Sequence, residues 1–255
     1  MIKKSILCIS FVLLVFVSSA FPQFFKVYGW KTRAQNEVEL VLYNTVVVES
    51  DLTSSFFGKE VSKEGLWSHS IEAEYGVTDR LTVALYFDFE DPKGANVRHY
   101  RTRAVVFRYR FGEKGGFFMD PAIYVEYYIP RKSYKDYEEL EIKLILERDF
   151  GHFRLDLNPM VEKKTSGSEV NEGLEFNYAI GFYYKKYRSV QPGIEFHGKM
   201  GEFSNFPTWD QQRHYIFPTV DLRFGPGFHW HLGAGVGLTG KSDDLLIKSI
   251  FSYSF

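Results

Sequence analysis

The residues that could do chemistry are few, and histidine comes first because a neutral imidazole can serve as a general base or a metal ligand near pH 7. The chain has His69, His99, His152, His197, His214, His229 and His231. His69 stands between Ser68 and Ser70, but neighbours in an extended chain point to opposite faces, so no Ser-His pair forms there. His229 and His231 share a face and could begin a metal site; no third ligand is near, and a rim histidine pair accounts for them. His214 and Asp210 sit in a long connection where they could form an acid-base couple. Gly233, Gly235 and Gly237 alternate with no helix after them, so they make room for a large neighbouring side chain rather than cradle a phosphate. The chain therefore offers no catalytic residue, metal site or cofactor site that its spacing supports.

What the chain has in abundance is charge at alternate positions. The formal charge is −1, falling to −3 if Lys3 and Lys4 leave with a leader, which gives no reason to expect nucleic acid as a partner. The charged set expected to line a lumen is Glu72 and Glu74, Asp88, Arg108 and Arg110, Glu126, then Glu141, Lys143 and Glu147. It continues with Arg154 and Asp156, Glu175, Glu195, and Asp221 with Arg223; Lys185 and Lys248 share their phase. Acids and bases on adjacent strands would either neutralise one another or form a charge-selective constriction.

The elements that hold these charges are strands. Leu81, Val83, Leu85, Phe87 and Phe89 alternate with Thr82, Ala84, Tyr86 and Asp88, and Leu140, Ile142, Leu144 and Leu146 with Glu141, Lys143 and Glu147. Val105, Phe107, Tyr109 and Phe111 form an apolar face against Arg108 and Arg110. Twelve such segments are legible. In the first, Glu37 to Glu49, Asn44 falls among Val38, Leu40 and Leu42, which suggests a bulge or phase shift. Pro121, Pro159, Pro192 and Pro218 belong near strand ends or bulges, since each lacks an N–H.

Connections alternate in length. Gly76–Arg80, Gly112–Gly116, Asp149–His152, Lys186–Ser189 and Gly225–Phe228 read as tight turns. Asp51–Glu64, Asp91–Asn96, Pro130–Asp136, Lys163–Gly173, Met200–Arg213 and Thr239–Asp244 are mostly longer. Short periplasmic turns and longer extracellular loops are the plan of an outer-membrane barrel, and an even strand number places both termini on the periplasmic side. A soluble sandwich or lipocalin-like barrel would show the same alternation. Its interior could not hold the apolar side chains of a dozen strands, because about eight strands already leave a lumen that side chains fill.

The termini agree. Residues 1–20 read as a cleaved signal peptide, with Lys3 and Lys4, an apolar run from Ile6 to Val17, and Ser18, Ser19 and Ala20 before the cut. Cys8, the only cysteine, lies within it, so the mature chain would have no disulfide, thiolate ligand or cysteine nucleophile. Residues 21–36 read as a periplasmic N-terminal segment and 37–255 as the barrel. The last strand ends in Phe251, Tyr253 and Phe255, resembling the C-terminal signal by which outer-membrane barrels are recognised for insertion. Outer-membrane lipids and the barrel-assembly machinery are then the expected partners, with a small-molecule solute as a third. Tyr75, Phe111, Phe224, Trp230 and Phe255 on one rim, and Trp67, Phe89 and Tyr127 on the other, suit two interfacial girdles.

The stretch Ile71 to Phe89, a Glu-bearing strand, a Tyr-Gly-Val-Thr-Asp-Arg turn and a second strand, resembles a hairpin of uncharacterised transporter-like outer-membrane barrels. These include the phenol-degradation MetA-pathway type, and Gly233 to Phe255 is similar to the end of such chains. The resemblance implies passage of small, hydrophobic molecules and carries over no catalytic residue. The expectation is a single twelve-stranded antiparallel up-and-down barrel in the bacterial outer membrane, a narrow channel or transport component for small solutes. The alternatives are a non-conducting structural or surface-interaction barrel using Asp51–Glu64 and Met200–Arg213, and an outer-membrane hydrolase.

Overall fold

The computed structural model describes residues 24–255, so the expected leader lies outside the described residues. The chain forms β1 (Val38–Glu49), β2 (Thr53–Phe56), β3 (Lys59–Ser62), β4 (Trp67–Thr78), β5 (Leu81–Asp91), β6 (Arg98–Arg110) and β7 (Asp120–Pro130). It continues with β8 (Glu139–Phe150), β9 (Phe153–Lys164), β10 (Glu175–Tyr184), β11 (Val190–Glu202), β12 (Arg213–Phe224), β13 (Phe228–Gly237) and β14 (Leu245–Ser254). Strands β4 to β14 pair antiparallel in succession, and β1 closes the ring by pairing with both β4 and β14. Closure leaves no unpaired edge, which is the condition for a sheet to stand in hydrocarbon.

The face that points outward is settled by burial. Leu40 and Leu42 are each 46% exposed, whereas Val41 and Tyr43 beside them are 2% exposed. Ile71, Leu85, Phe87, Ile142, Leu144 and Ile247 are likewise exposed on the outer wall, with buried Glu72, Tyr86, Asp88, Lys143 and Lys248 between or beside them. An apolar exterior around a charged interior reverses the arrangement of a soluble barrel and is stable only with lipid outside.

The rims alternate as expected, with two differences. The connection between β6 and β7 spans residues 111–119, longer than the tight turn anticipated at Gly112–Gly116. The connection between β1 and β4 carries its own hairpin, β2 with β3, in register from Thr53↔Ser62 to Phe56↔Lys59. The latter belongs to a long-loop rim that is laced across its ends: Lys63 Nζ lies 2.6 Å from Asp243 Oδ2, and Ser50 donates to Asp243 Oδ1 at 2.8 Å. Burial holds the Lys63 ammonium below the ordinary lysine range, with the Asp243 carboxylate opposing that shift.

Three local readings change. No bulge occurs at Asn44: β1 keeps register with β4 from Val38 to Val46, and Asn44 faces outward with its Oδ1 2.7 Å from His69 Nδ1. In β6 a bulge between Val105 and Phe107 shifts the phase. Val105 turns inward at 4% exposure and Val106 outward at 55%, so Arg103 and Arg108 both face the interior despite their odd separation. The prolines are accommodated otherwise than by bulges alone. Pro121 and Pro192 lie near the starts of β7 and β11. Pro159 lies within β9 where the β8–β9 ladder passes from Lys143↔Met160 to Leu146↔Leu157. Pro218 lies where β12–β13 passes from Ile216↔Val236 to Thr219↔Gly233. In both the register is kept and the ladder is simply interrupted where the N–H is missing.

The bulge in β6 makes a direct test. Val106→Arg, on the lipid side, should make folding into bilayers less favourable by about 2–4 kcal/mol. Val105→Thr on the inner side should cost less, as read by denaturant titration in lipid vesicles; the reverse ranking would restore the unshifted phase.

Candidate functional site

The segment expected to lie outside the barrel at residues 21–36 does not do so where it is described. Residues 24–33 run through the interior, and Ala34–Glu37 then reverses the chain into β1. Asn36, at φ 65°, donates its N–H to Gly76 O at 2.8 Å. Gly76 permits this approach, because a Cβ there would stand 1.8 Å from Ala34 O.

The reason the segment goes inside is written in its composition. Phe24, Phe25, Val27, Tyr28 and Trp30 have no favourable place in water, and Lys26 and Arg33 are drawn by the wall carboxylates. Phe25, Tyr28 and Trp30 are 5–6% exposed. Each such side chain contributes on the order of 1.5–3 kcal/mol to keeping the segment in place. Phe25 packs on Phe217 and Tyr215 with ring centroids 4.6 and 5.0 Å away. The Tyr28 hydroxyl meets those of Tyr86 and Tyr124 at 3.3 and 3.4 Å.

An extended segment inside a barrel leaves its own N–H and C=O groups without a ladder, and wall side chains replace that ladder. Asn158 accepts from Tyr28 N–H at 2.7 Å and donates to Tyr28 C=O at 2.9 Å. Glu147 accepts from Trp30 N–H at 2.8 Å. Arg108 donates to the carbonyls of Gly29 and Lys31 at 2.5 and 2.7 Å, and Lys248 to that of Phe25 at 2.6 Å. At the short-turn end Thr82 accepts from Arg33 N–H at 2.9 Å, and the Thr32 hydroxyl donates to Asp79 C=O at 2.6 Å.

The expected lumenal charges fall into several groups around this segment. Lys26 reaches Glu72 at 3.4 Å and Glu74 at 3.8 Å, and donates to the Tyr43 hydroxyl, which itself donates to Glu72. Arg33 lies 3.1 Å from both Glu74 and Glu39. On the adjoining wall Arg103 joins Asp88 at 2.7 Å to Glu126 at 2.9 Å, Arg101 adds a second cation to Asp88, and Lys143 pairs with Glu141. Across the barrel Glu195 accepts from Lys248, from Tyr183 at 2.7 Å and from His231 and His197 at 3.0 and 2.9 Å. Glu147 is paired with Lys114, and Arg154 with Asp156 at 2.9 Å.

Other expected residues stand apart from these groups. Glu175 belongs to a cluster with Lys199, Lys164 and Glu162 near the long-loop rim. Arg110 is at the short-turn rim with Glu113, and Lys185 there with Asp149. Arg223 is exposed at the same rim, where its guanidinium donates to Gln191 at 3.4 Å. Phe251, Tyr253 and Phe255 are 37%, 38% and 62% exposed on the outer wall beside Phe228.

The candidate chemical groups resolve into structural contacts. His229 and His231 both face Asp221, at 2.8 and 3.1 Å, and no three metal-ligating side chains among the described residues are arranged to hold an ion. His214 stacks on Trp209 at 3.9 Å, and its ring nitrogens meet Tyr178 and Gln212 at 3.0 and 2.7 Å, leaving neither for Asp210. Gly235 gives room to Phe217, whose ring a Cβ would approach to 2.2 Å.

Free volume remains on both sides of the threaded segment. A cavity of about 520 Å³ lies toward the short-turn rim, between Val27–Lys31 and a wall that includes Arg154, Tyr183 and His231. One of about 140 Å³ lies toward the other half, by Arg103, Lys143 and His197. Lys26 and Tyr28 border both.

No family model and no curated protein matches the chain. Among solved structures it is similar to an outer-membrane channel from Pseudomonas putida F1, with TM-score 0.57 and 13% identity over 89% of this chain and 98% of that one. It is similar to the KdgM porin at TM-score 0.55 and 8% identity, over 85% of this chain and 99% of that one. Omp33 of Acinetobacter baumannii aligns at TM-score 0.50 and 8% identity, over 89% of this chain and all of that one. The likeness is one of fold: the chain is built as an outer-membrane β-barrel.

Asn158 supplies the test of how the segment is seated. Asn158→Ala leaves the Tyr28 N–H and C=O unpaired, a loss of about 1–3 kcal/mol, or roughly 5- to 150-fold in the released population. Trypsin cleavage after Lys26 in the folded protein, followed by mass spectrometry, should accelerate by that factor. An unchanged rate would show that Asn158 does not hold the segment.

Proposed function

We propose that the protein is a narrow outer-membrane channel or transport component for small solutes, with its passage closed at rest by its own N-terminal segment. The observation that carries this reading is residues 24–33 lying through the lumen between two residual cavities, held by side chains rather than by sheet pairing. A segment bound by replaceable side-chain contacts can leave without breaking the barrel, whereas an inserted strand could not. Charged walls that now hold the segment would line the passage once it moves, and rings of charge select ions and solutes in pores. The likeness in fold to an outer-membrane channel and to a porin supports this reading. The hairpin at Ile71–Phe89 supports the narrower likeness to MetA-pathway barrels, and with it small apolar cargo.

A second reading has its own observation. The long-loop rim is ordered by Lys63–Asp243 and by the Trp209–His214 stack, and it exposes Phe203, Phe206 and Trp209. A closed lumen under such a rim suits a non-conducting surface-interaction barrel. A hydrolase has less support, because no histidine ring among the described residues hydrogen-bonds a serine hydroxyl.

Planar-bilayer conductance separates the two readings. The mature protein should give small, intermittent steps, and deletion of residues 24–33 should enlarge them several-fold. Removing the carboxylate partners of Lys26 with Glu72→Gln/Glu74→Gln should raise the open fraction in the full-length chain. A folded barrel silent in all three forms would favour the surface-interaction reading.

A further inference from the structure

The charged side chains of residues 24–33 are all cations, and two of them, Lys26 and Arg33, go to one place on the wall. Glu39 and Glu74 stand directly opposite one another on β1 and β4, and Glu72 lies opposite Val41 in the same ladder. The three carboxylates are buried, at 7%, 3% and 0% exposure for Glu39, Glu74 and Glu72. Like charges so placed repel and have little water to screen them, so the patch needs cations in it. Lys26 reaches Glu72 and Glu74, and Arg33 reaches Glu74 and Glu39. Among the described residues these are the cations within 4 Å of Glu72 and Glu39, and the barrel itself supplies Glu74 with Arg108, at 3.9 Å.

Other acids of the inner wall are provided for differently. Asp88 and Glu126 are paired with Arg103, Glu141 with Lys143, and Glu195 with Lys248, all of them cations of the barrel strands. When the segment withdraws, those pairs stay as they are, while Glu39, Glu72 and Glu74 are left to Arg108. Even with the segment seated, Oε1 of the buried Glu72 has no hydrogen-bond partner among the described residues. The patch offers more than charge. The Tyr43 hydroxyl accepts from Lys26, whose ammonium lies 5.1 Å from the centre of the Tyr43 ring, and the Ser254 hydroxyl accepts from Arg33 at 3.3 Å. An ammonium there meets two carboxylates, a hydroxyl and an aromatic ring. Tyr43 and Tyr124, which now pack on Phe24 and Tyr28 of the segment, become open to an apolar body when it leaves.

We infer that this patch is a binding site for small organic cations, amines with an apolar body, and that the N-terminal segment occupies it as an internal mimic of that ligand. The inference rests on the channel reading, whose cargo class it names; the site itself requires only that the segment be displaceable. Glu39 and Glu74 border the 520 Å³ cavity, and Glu39 also borders the open vestibule of about 510 Å³ at the short-turn rim, so a solute entering there meets the patch at its Glu39 end.

Amide hydrogen exchange at Tyr28 and Trp30 in the folded full-length barrel tests it, with 2-phenylethylammonium, 2-phenylethanol and phenylacetate as probes at matched ionic strength, because the three share a ring and differ in charge. A ligand that binds only the barrel with its segment released raises the released population by a factor of one plus the ratio of ligand concentration to Kd. Exchange should therefore accelerate with the ammonium, about tenfold at ten times its Kd, and stay unchanged with the alcohol and the acid. Glu72→Gln/Glu74→Gln, compared with itself without ammonium, should lose the acceleration, with heat-modifiable gel mobility as the check on an intact barrel. Independently of that variant, the reversal potential of wild-type openings in a KCl gradient should favour potassium over chloride. An ammonium that accelerates exchange no more than the alcohol does, or an acceleration that survives in the double variant, overturns the proposal. Displacement by the ammonium in a barrel that never conducts would remove the channel reading and leave the site. Conduction with neither displacement nor cation preference would remove the site and leave the channel.

Discussion

Charge held where water has little access must be paired, and this requirement governs the interior of the barrel. Removing one partner of a buried ion pair typically costs about 3–5 kcal/mol, because the other is left uncompensated. The wall contributes Glu72, Glu74, Glu147 and Glu195 among its buried carboxylates. Three of them receive Lys26, Trp30 N–H or Arg33 from the N-terminal segment. Glu195 is satisfied by Lys248, which also donates to the Phe25 carbonyl. Segment and wall therefore specify one another. Withdrawing the segment exposes aromatic surface and strips carboxylates of partners, so an open state needs water, ions or a solute to take over those roles.

In the proposed channel, this dependence would close the barrel without a folded plug domain. The fixed part is the ring of strands, whose hydrogen bonds are satisfied within the sheet. The replaceable part is a short extended segment whose backbone is held by Asn158, Glu147, Arg108 and Lys248. The two parts differ in the kind of bond, and hence in the cost of separating them. Glycine in β13 and the aromatic Phe217 opposite it fit the same plan, since a bulky side chain at Gly235 would displace the ring that packs on Phe25.

Much of the architecture was legible because a period of two survives in single sequences: all twelve barrel strands, their alternation of rims and the charged inner face could be read from residue spacing. Three things could not. The bulge at Val106 changes phase without a glycine or proline to mark it, so Val105 was assigned to the wrong face. The hairpin Thr53–Ser62 is built from short polar strands whose pattern resembles a loop. The N-terminal segment was taken as external because it has no long alternating pattern. Two signals pointed inward: its aromatic residues have no other surface to cover, and the inner face as read carried more carboxylates than cations. Arg103, needed by both Asp88 and Glu126, was missed because the strand was started too late, at Val105.

The most direct measurement is amide hydrogen exchange of residues 24–33 in the folded protein in lipid nanodiscs. A segment seated as described predicts slow exchange at Tyr28 and Trp30, whose N–H groups donate to Asn158 and Glu147. Exchange at both positions as fast as in an unstructured peptide would contradict the account, leaving the interior charges to be balanced by water and ions alone.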